Sequence, residues 1–330
     1  MRKPLPALDA ALLLPPVAPG QYRYFEHAAD HPFDAAAATP TLCQAWWLAE
    51  CALAAYAEAA VAGDIFRSGG LAVAGDSPII GQRYGGQCYV VADASKIVVA
   101  FRGTQTVKSE HAGSLERLHD TVKNVLRDVL TDAKVRLVPW SGRSAGRVHQ
   151  GFADSLNELL PALDERLADL RTQNPQRRLW LTGHSLGAAL ATLAADRLEA
   201  VQGLHTFGSP QVGDATFAAN FTVPGWRFRN HTDAVAWAPS GIIGYQHVTP
   251  GRYFDRHRAL CDEPGMAALL KDGLQGAPLA LTKSLAALRR QQWAAIAPEC
   301  FNDHAPILYA ILTWNAYMAE HSASSATPDP

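Results

Sequence analysis

The chain has 330 residues, of which 48% are hydrophobic and 18% charged, and its formal net charge is −2 at pH 7. This balance is typical of a globular protein with a sizeable core, and it argues against nucleic acid as a main partner. No apolar run in the sequence approaches the roughly 20 residues that a transmembrane helix needs.

Cysteine usage and the first residues bear on metal binding and on the compartment. The five cysteines include no Cys-x-x-Cys pair, so we expect no zinc site, no disulfide framework and no cofactor. Their odd number favours a reducing compartment. Arg2 and Lys3 are followed by Pro4, Pro6 and Asp9, which is not the pattern of a secretion signal. We therefore predict a cytoplasmic protein, with secretion as the alternative.

The first 40 residues carry seven prolines and predict an extended arm that lies over the body of the protein. From residue 42 to residue 62, apolar side chains recur at helical spacing, which predicts an amphipathic helix. We expect a single α/β domain over residues 41–320 and a disordered polar tail over residues 321–330.

Two strand-like runs, residues 88–92 and 96–101, are separated by a turn composition and predict a hairpin. The second run leads directly into Arg102-Gly103-Thr104. Amides at the carboxyl end of a buried strand face the edge where α/β sheets place their ligands. Thr104 is therefore our candidate for one half of an oxyanion hole.

A polar segment of mixed charge follows over residues 105–121, and a helical pattern continues over residues 122–130. Beside an active site such a segment is a candidate lid, and a solvated surface loop is the alternative. It lacks the apolar face that would insert into a lipid surface. We therefore expect weak interfacial activation.

Residues 178–190 read as a buried strand, a tight turn and a helix. The turn is Gly183-His184-Ser185-Leu186-Gly187. So tight a strand-to-helix turn strains its central residue and leaves no room for neighbouring side chains, which explains the two glycines. Ser185 would stand at the tip as a nucleophile, with the amide of Leu186 directed at the oxygen of the attacked carbonyl. Gly-x-Ser-x-Gly also arises by chance in glycine-rich loops, but here a strand precedes it and a helix of small residues follows.

Later strand-like segments, at residues 203–207 and 226–230, alternate with helical ones. This alternation predicts a mostly parallel central sheet with helices on both faces. Residues 252–302 contain helical material that would form a small cap or cover the sheet. A last helix is expected over residues 303–319.

The acid that would orient the base is sought after the serine, because on an elbow of this type the acid and then the histidine follow the nucleophile in the chain. Asp196 lies within the elbow helix and Asp214 opens the next helix. Asp233 instead follows the carboxyl end of a strand, on the same edge as Ser185. We predict that Asp233 is the acid; a turn or capping aspartate is its alternative role.

Four histidines follow Asp233 and are candidates for the base. His247 belongs to a strand-like run and suits a core or edge position, His257 lies among charged residues, and His321 lies in the tail. His304 follows a loop and precedes the last helix, from where it could reach back over the elbow. We predict that His304 is the base, although a lone histidine is most often structural.

Taken together, several segments resemble those of class 3 lipases, the fungal triacylglycerol lipase-like branch of the α/β-hydrolases. They occur in the same order and are residues 45–56, 97–104 (ending Phe-Arg-Gly-Thr), 148–152, 182–188, 206–213 and 303–309. The resemblance spans about residues 42–320 and implies an α/β-hydrolase fold. It also implies a catalytic triad of Ser185, Asp233 and His304. Two features depart from the family: the polar segment 105–121, and Ala188 in place of a second glycine.

The resemblance implies a serine carboxylic-ester hydrolase of lipase type, which cleaves acylglycerols or related acyl esters through an acyl-enzyme. Alternatives on the same fold are a non-catalytic protein that binds lipid or a partner, an acyltransferase, and a phospholipase A1. Transient contact with a lipid surface is expected. Acylglycerols, phospholipids cleaved at the sn-1 position and small soluble esters are all compatible with the sequence.

Overall fold

The computed structural model describes residues 1–7, 9–75, 77–104, 136–238, 244–276 and 302–326. The candidate lid at 105–121, the helix expected at 122–130 and residues 277–301 of the candidate cap lie outside these residues. Helices in the described part are α1 Ala10–Leu13, α2 Leu42–Ala54, α3 Ala59–Ser68, α4 Gln150–Gln173, α5 Leu186–Arg197, α6 Ala215–Asn220, α7 Met266–Gly276 and α8 Pro306–Ala326. A 3₁₀ turn spans Val235–Trp237.

The strands form one large sheet and one small one. They are β1 Ala72–Val73, β2 Ile79–Ile80, β3 Gln87–Ala92, β4 Lys96–Phe101, β5 Leu137–Pro139, β6 Arg147–His149, β7 Arg178–His184, β8 Val201–Phe207, β9 Gly213–Asp214, β10 Gly225–Asn230, β11 Tyr245–Gln246, β12 Gly251–Phe254 and β13 Leu260–Asp262. The large sheet has the order β1-β3-β4-β7-β8-β10-β12-β13, with β2 paired to β3, and the small sheet has the order β11-β9-β6-β5.

Strands β4, β7, β8, β10 and β12 pair in parallel, and the antiparallel strands lie at the two ends of the large sheet. The predicted hairpin of β3 and β4 is confirmed. The predicted mostly parallel sheet is confirmed as well. Its parallel strands end at one edge, where β4, β7, β8 and β10 lie side by side.

Both faces of the sheet are covered by helices, because side chains alternate along each strand. Val98 and Ala100 of β4 pack into one core with α2 and α8, whereas Val99 and Phe101 pack into a second core with α4 and α5. On the first face, the rings of Trp46 and Trp314 lie 4.7 Å apart. The sheet is therefore rigidly held behind the edge that carries the candidate site.

The N-terminal arm lies across α2 and α8. It buries aromatic side chains such as Phe25 and Phe33 in the first core, and the indole of Trp314 donates to the carbonyl of Met1 at 2.9 Å. The arm is not wholly extended, since α1 forms a helical turn within it.

Two helices differ from their predicted bounds. The helix expected over residues 42–62 is divided, because α2 ends at Ala54 and Glu58 occupies the N-cap position of α3. The last helix continues to Ala326, so residues 321–326 are helical and not a disordered tail. A physical reason is that the His321 ring packs edge-on against His31 and tilted against Tyr317, which ties this end of α8 to the arm.

Candidate active site

Ser185 lies alone between β7, which ends at His184, and α5, which begins at Leu186. Its φ of 58° and ψ of −128° form a strained conformation for a residue with a side chain. The amide of Ser185 donates to the carbonyl of Phe207 at 3.0 Å, which fixes the turn against the end of β8. The strained turn is therefore held by the sheet behind it.

The two glycines of the turn have a direct steric reason. A Cβ atom on Gly183 would lie 2.3 Å from the carbonyl oxygen of Gly187. A Cβ atom on Gly187 would lie 2.2 Å from the carbonyl oxygen of Phe101, at the end of β4. The turn is thus closed against itself and against the strand that leads to Thr104.

Asp233 and His304 meet at the same edge. The Nδ1 atom of His304 lies 3.0 and 2.9 Å from the two carboxylate oxygens of Asp233, across 71 residues of sequence. Asp233 is fully buried. One of its oxygens also accepts the amide of Val235, and the other accepts the hydroxyl of Tyr309. The Asp233 carboxylate is therefore fixed in orientation, and it holds the Nδ1 edge of the His304 ring.

Gly208 lies between the nucleophile and this pair, directly after the residue that accepts the Ser185 amide. Its φ is +54°, and a Cβ atom there would lie 2.8 Å from Asp233 Oδ2 and 2.9 Å from His304 Cε1. In the sequence this glycine reads only as the breaker at the end of β8. The structure gives it a specific place, since any side chain would displace the acid and the base.

Within the described residues, the hydrogen bonds of His304 run to Asp233 and, through its carbonyl, to His184. A hydrogen bond from the Ser185 hydroxyl to the His304 ring is not among them. Such contacts often tighten only when substrate is bound. The transfer of a proton between these two residues therefore belongs to the proposal below.

The candidate oxyanion donors lie on either side of the elbow. Thr104 is half-buried and follows Gly103, where an added Cβ would lie 2.8 Å from the carbonyl oxygen of His184. Leu186 is the first residue of α5, and the first amides of a helix have no partner within it. Those amides also lie at the positive end of the helix dipole. Thr104 thus follows the strand that packs against the elbow, and Leu186 opens the helix that leaves it.

The other aspartates that follow the serine have structural contacts. Asp196 accepts the indole N–H of Trp140 at 2.6 Å and the amide of Ser144 at 3.1 Å. Asp214 accepts the amide of Phe217 at 2.9 Å and so caps α6. Each therefore holds a loop or a helix end.

The alternative histidines are also accounted for. The ring of His247 contacts the carbonyl of Ala236 at 3.0 Å, and burial, followed by the charge of Arg227, holds its pKa well below the ordinary value. His257 is exposed, and His321 packs against the arm. Of the four histidines considered, the structure places His304 against Asp233.

A charged cluster anchors the residue next to His304. Asp303 accepts the Thr232 hydroxyl at 2.7 Å and an Arg258 N–H at 2.7 Å, and it lies 3.3 Å from His231 Nδ1. Burial alone would raise the pKa of Asp303, but the hydrogen bonds from His231, Thr232 and Arg258 and the charge of Arg258 outweigh it and lower that pKa. The cluster joins the loop before α8 to the residue beside Asp233. No local pattern in the sequence indicates it.

The described residues contain neither a metal-binding cluster nor a membrane-spanning helix. Within these ranges no three or more His, Cys, Asp and Glu side chains are arranged to hold a metal ion. In the same ranges no helix has the length and apolar character required to cross a membrane.

Part of the chain is similar to known lipases. The profile described as Lipase (class 3) matches residues 98–242, a span that includes Thr104, Ser185 and Asp233. A secreted mono- and diacylglycerol lipase of Fusarium solani is 34% identical over 114 residues, which are 33% of this chain and 34% of that protein. A lipase of Rhizomucor miehei is 31% identical over 170 residues, 48% of this chain and 44% of that protein. The chain thus spans less than half the length of these relatives.

Solved structures show the same fold. A mutant form of MDLA from Penicillium cyclopium has a TM-score of 0.50 at 25% identity, over 67% of this chain and 80% of that one. A triacylglycerol lipase structure has a TM-score of 0.52 at 23% identity, over 64% of this chain and 79% of that one. The predicted α/β-hydrolase fold is confirmed.

The predicted cytoplasmic location is wrong. Relatives from Fusarium solani and Penicillium cyclopium are named secreted lipases, which points outside the cell. The prediction relied on scattered, odd-numbered cysteines, and these carry little weight because a secreted protein of this size can be stable without disulfides. Fold, profile and relatives agree with the resemblance seen in the sequence: residues 98–242 of the chain match the class 3 lipase family.

Proposed function

We propose that this chain is a serine carboxylic-ester hydrolase that cleaves acylglycerols through an acyl-enzyme. The observation that carries the proposal is the pairing of a strained Ser185 elbow with the Asp233–His304 hydrogen bonds at the same sheet edge. Isolated serines, histidines and aspartates are common. Their convergence across 71 residues of sequence is not expected without a shared task.

In the proposed mechanism, the Ser185 hydroxyl oxygen attacks the ester carbonyl carbon while His304 Nε2 takes the hydroxyl proton. Asp233 accepts the Nδ1–H of His304, which keeps Nε2 free to act as a base and stabilises the imidazolium that forms. The amides of Thr104 and Leu186 receive the negative charge that develops on the carbonyl oxygen.

When the tetrahedral intermediate collapses, the bond to the alcohol oxygen breaks, and His304 returns its proton to that oxygen. Water then repeats the sequence on the acyl-enzyme. His304 takes a proton from the water as the water oxygen bonds to the acyl carbon. The bond from that carbon to the Ser185 oxygen then breaks, His304 returns the proton to the Ser185 oxygen, and the carboxylic acid leaves. Every proton passes through one imidazole, so a metal or a cofactor is not needed for the reaction to balance.

Support for the substrate and the location comes from the relatives. Mono- and diacylglycerol lipases among them favour partial glycerides as the substrate class, and the word secreted in their names favours an extracellular enzyme. A protein that acts on such lipids makes at least transient contact with a lipid surface. The polar composition of residues 105–121 favours a weak dependence on that surface.

The test is hydrolysis of monoacyl-, diacyl- and triacylglycerols and of soluble p-nitrophenyl esters of graded chain length, with Ser185→Ala as the control. We expect turnover by the wild type, higher on partial glycerides than on triacylglycerols, and none above background in the variant. Turnover retained in Ser185→Ala would overturn the assignment of the nucleophile. A steep rise in rate on adding an emulsion would contradict the expected weak interfacial activation.

A further inference from the structure

A buried pair of side chains, Tyr56 and His184, connects the elbow to two other parts of the candidate site. These are the backbone before Thr104 and the backbone of His304. His184 is 2% exposed and Tyr56 is 2% exposed. The Tyr56 hydroxyl lies 2.8 Å from His184 Nδ1, and His184 Nε2 lies 2.7 Å from the carbonyl oxygen of His304. These contacts span 128 and 120 residues of sequence.

The positions of the protons in this chain follow from its chemistry. The carbonyl of His304 only accepts, so His184 Nε2 must carry a proton and donate it. A neutral imidazole then has an unprotonated Nδ1, which accepts the Tyr56 O–H. The Tyr56 hydroxyl oxygen also lies against the backbone of Gly103. One continuous series of contacts therefore runs from the backbone of Gly103, through the side chains of Tyr56 and His184, to the backbone of His304.

The position of the Tyr56 hydroxyl also explains why residue 103 is glycine. A Cβ atom there would lie 2.0 Å from the Tyr56 hydroxyl oxygen and 2.8 Å from the carbonyl oxygen of His184. The backbone that leads to Thr104 is thus pressed directly onto Tyr56. This steric fit is independent of the hydrogen bonds and places the same atoms together.

Burial keeps His184 and Tyr56 neutral, as the hydrogen bonds between them require. Burial first, and then the nearby charge of His304, hold the pKa of His184 well below its ordinary value, and burial raises the pKa of Tyr56. The rings of His184 and His304 lie 4.4 Å apart. A neutral His184 allows His304 to become positively charged during turnover, whereas a charged one would oppose it.

We propose that Tyr56 and His184 are positioning residues that hold the oxyanion amide of Thr104 in register with the base His304. The inference rests on the proposed ester hydrolysis. Both side chains are buried. Tyr56 packs against the backbone before Thr104, and His184 donates to the backbone carbonyl of His304. Catalysis depends on such register, because a donor displaced by a fraction of an ångström loses much of its effect on the transition state.

The kinetic test compares Tyr56→Phe with Tyr89→Phe. Tyr89 is also buried, and its hydroxyl donates to the carbonyl of Ala57 at 2.9 Å, so its loss removes one buried hydrogen bond away from His184. We expect kcat to fall 10- to 100-fold in Tyr56→Phe with KM within about twofold, and kcat within about twofold of the wild type in Tyr89→Phe. Similar melting temperatures in the two variants would separate positioning from stability. Equal kcat in both variants would overturn the proposal.

A second measurement needs no turnover. Nitrogen NMR of ¹⁵N-histidine-labelled protein reports the tautomer of each ring, and the His184 signal is identified by its shift in Tyr56→Phe and its constancy in Tyr89→Phe. We expect protonation on Nε2 alone, unchanged from pH 5 to pH 8. Protonation on Nδ1, or titration in that range, would overturn the proposed chain. Absence of hydrolysis by the wild type would instead overturn the proposed function and leave this result standing.

Discussion

The two halves of the candidate site are built in different ways. The nucleophile half is made by backbone: Ser185 is held between a strand and a helix, and a Cβ added to Gly183 or Gly187 would lie within 2.3 Å of a carbonyl oxygen. The acid–base half is made by side chains. Asp233 and His304 come from loops 71 residues apart and depend on individual hydrogen bonds.

This difference predicts how substitutions in each half affect activity and stability. The elbow should tolerate loss of the serine hydroxyl without loss of structure, because the hydroxyl holds nothing in place. The acid–base half should lose activity on changes as small as one oxygen, because its geometry is set by specific donors and acceptors. The predictions below test this contrast, beginning with the largest expected effect.

Removal of the nucleophile should cost the most activity and the least stability. We expect hydrolysis to fall by about 10⁴-fold or more in both Ser185→Ala and Ser185→Gly. Because φ is 58° at this position, glycine should be the more stable of the two by about 1 kcal/mol. Chemical denaturation measures this difference. Equal stability of the two variants would contradict the strain at the elbow.

Asp233→Asn should lower kcat by about 10⁴-fold, because an amide can favour the wrong tautomer of His304. The matched control is Asp214→Asn, which touches a helix cap and should leave kcat unchanged at a stability cost of about 1 kcal/mol or less. Initial rates under saturating substrate give kcat for the two variants. Similar rates in the two variants would remove Asp233 from the proposed triad.

Gly208→Ala should lower activity about 100-fold, since the new methyl group meets both Asp233 and His304. Gly70 provides the control: its φ is +71°, but nothing lies within 4 Å of a Cβ built on it. Gly70→Ala should therefore lose about 1 kcal/mol of stability from backbone strain and keep its activity. Activity and melting temperature measured together separate strain from steric displacement, and an active Gly208→Ala would contradict the packing at this point.

Asp303→Asn should reduce stability in a pH-dependent way. Because the folded pKa of Asp303 is lowered, its contribution is present above the unfolded value of about 3.9 and is lost as the pH falls through the folded pKa. We expect a cost of about 2 kcal/mol at pH 7 that shrinks as the pH falls below about 4.

The control for Asp303 is Asp262→Asn. Asp262 pairs with Arg252, but its side chain is 88% exposed, so its loss should cost no more than about 0.5 kcal/mol. Denaturant titrations from pH 7 to pH 3 compare the two. A loss in Asp303→Asn that stays constant with pH would contradict the role of its charge.

The same contrast explains what the sequence could predict. The elbow was predictable because its cause is local: two glycines, a strand and a helix lie within 20 residues. The sheet followed from strand and helix periodicity. Asp233 and His304 followed from chain order and from the family resemblance, not from any signal at those residues.

The supporting residues had no local signal. Tyr56 reads as part of a helical stripe, Gly208 as a breaker and Tyr309 as the last residue of the segment 303–309. Their partners lie 25 to 128 residues away in the chain, so their contacts emerge only when the sheet is assembled. The capping box of Thr41 and Gln44, by contrast, is a local pattern that marks the start of α2.

The central claim, that Ser185, Asp233 and His304 form one working site, is tested most directly by covalent labelling with a fluorophosphonate. The rate of labelling and the modified peptide are measured by mass spectrometry for the wild type and for His304→Ala. The account predicts a single adduct on Ser185, formed at least 100-fold more slowly in the variant. A folded wild type without an adduct, an adduct on another serine, or equal rates in the two proteins would contradict it.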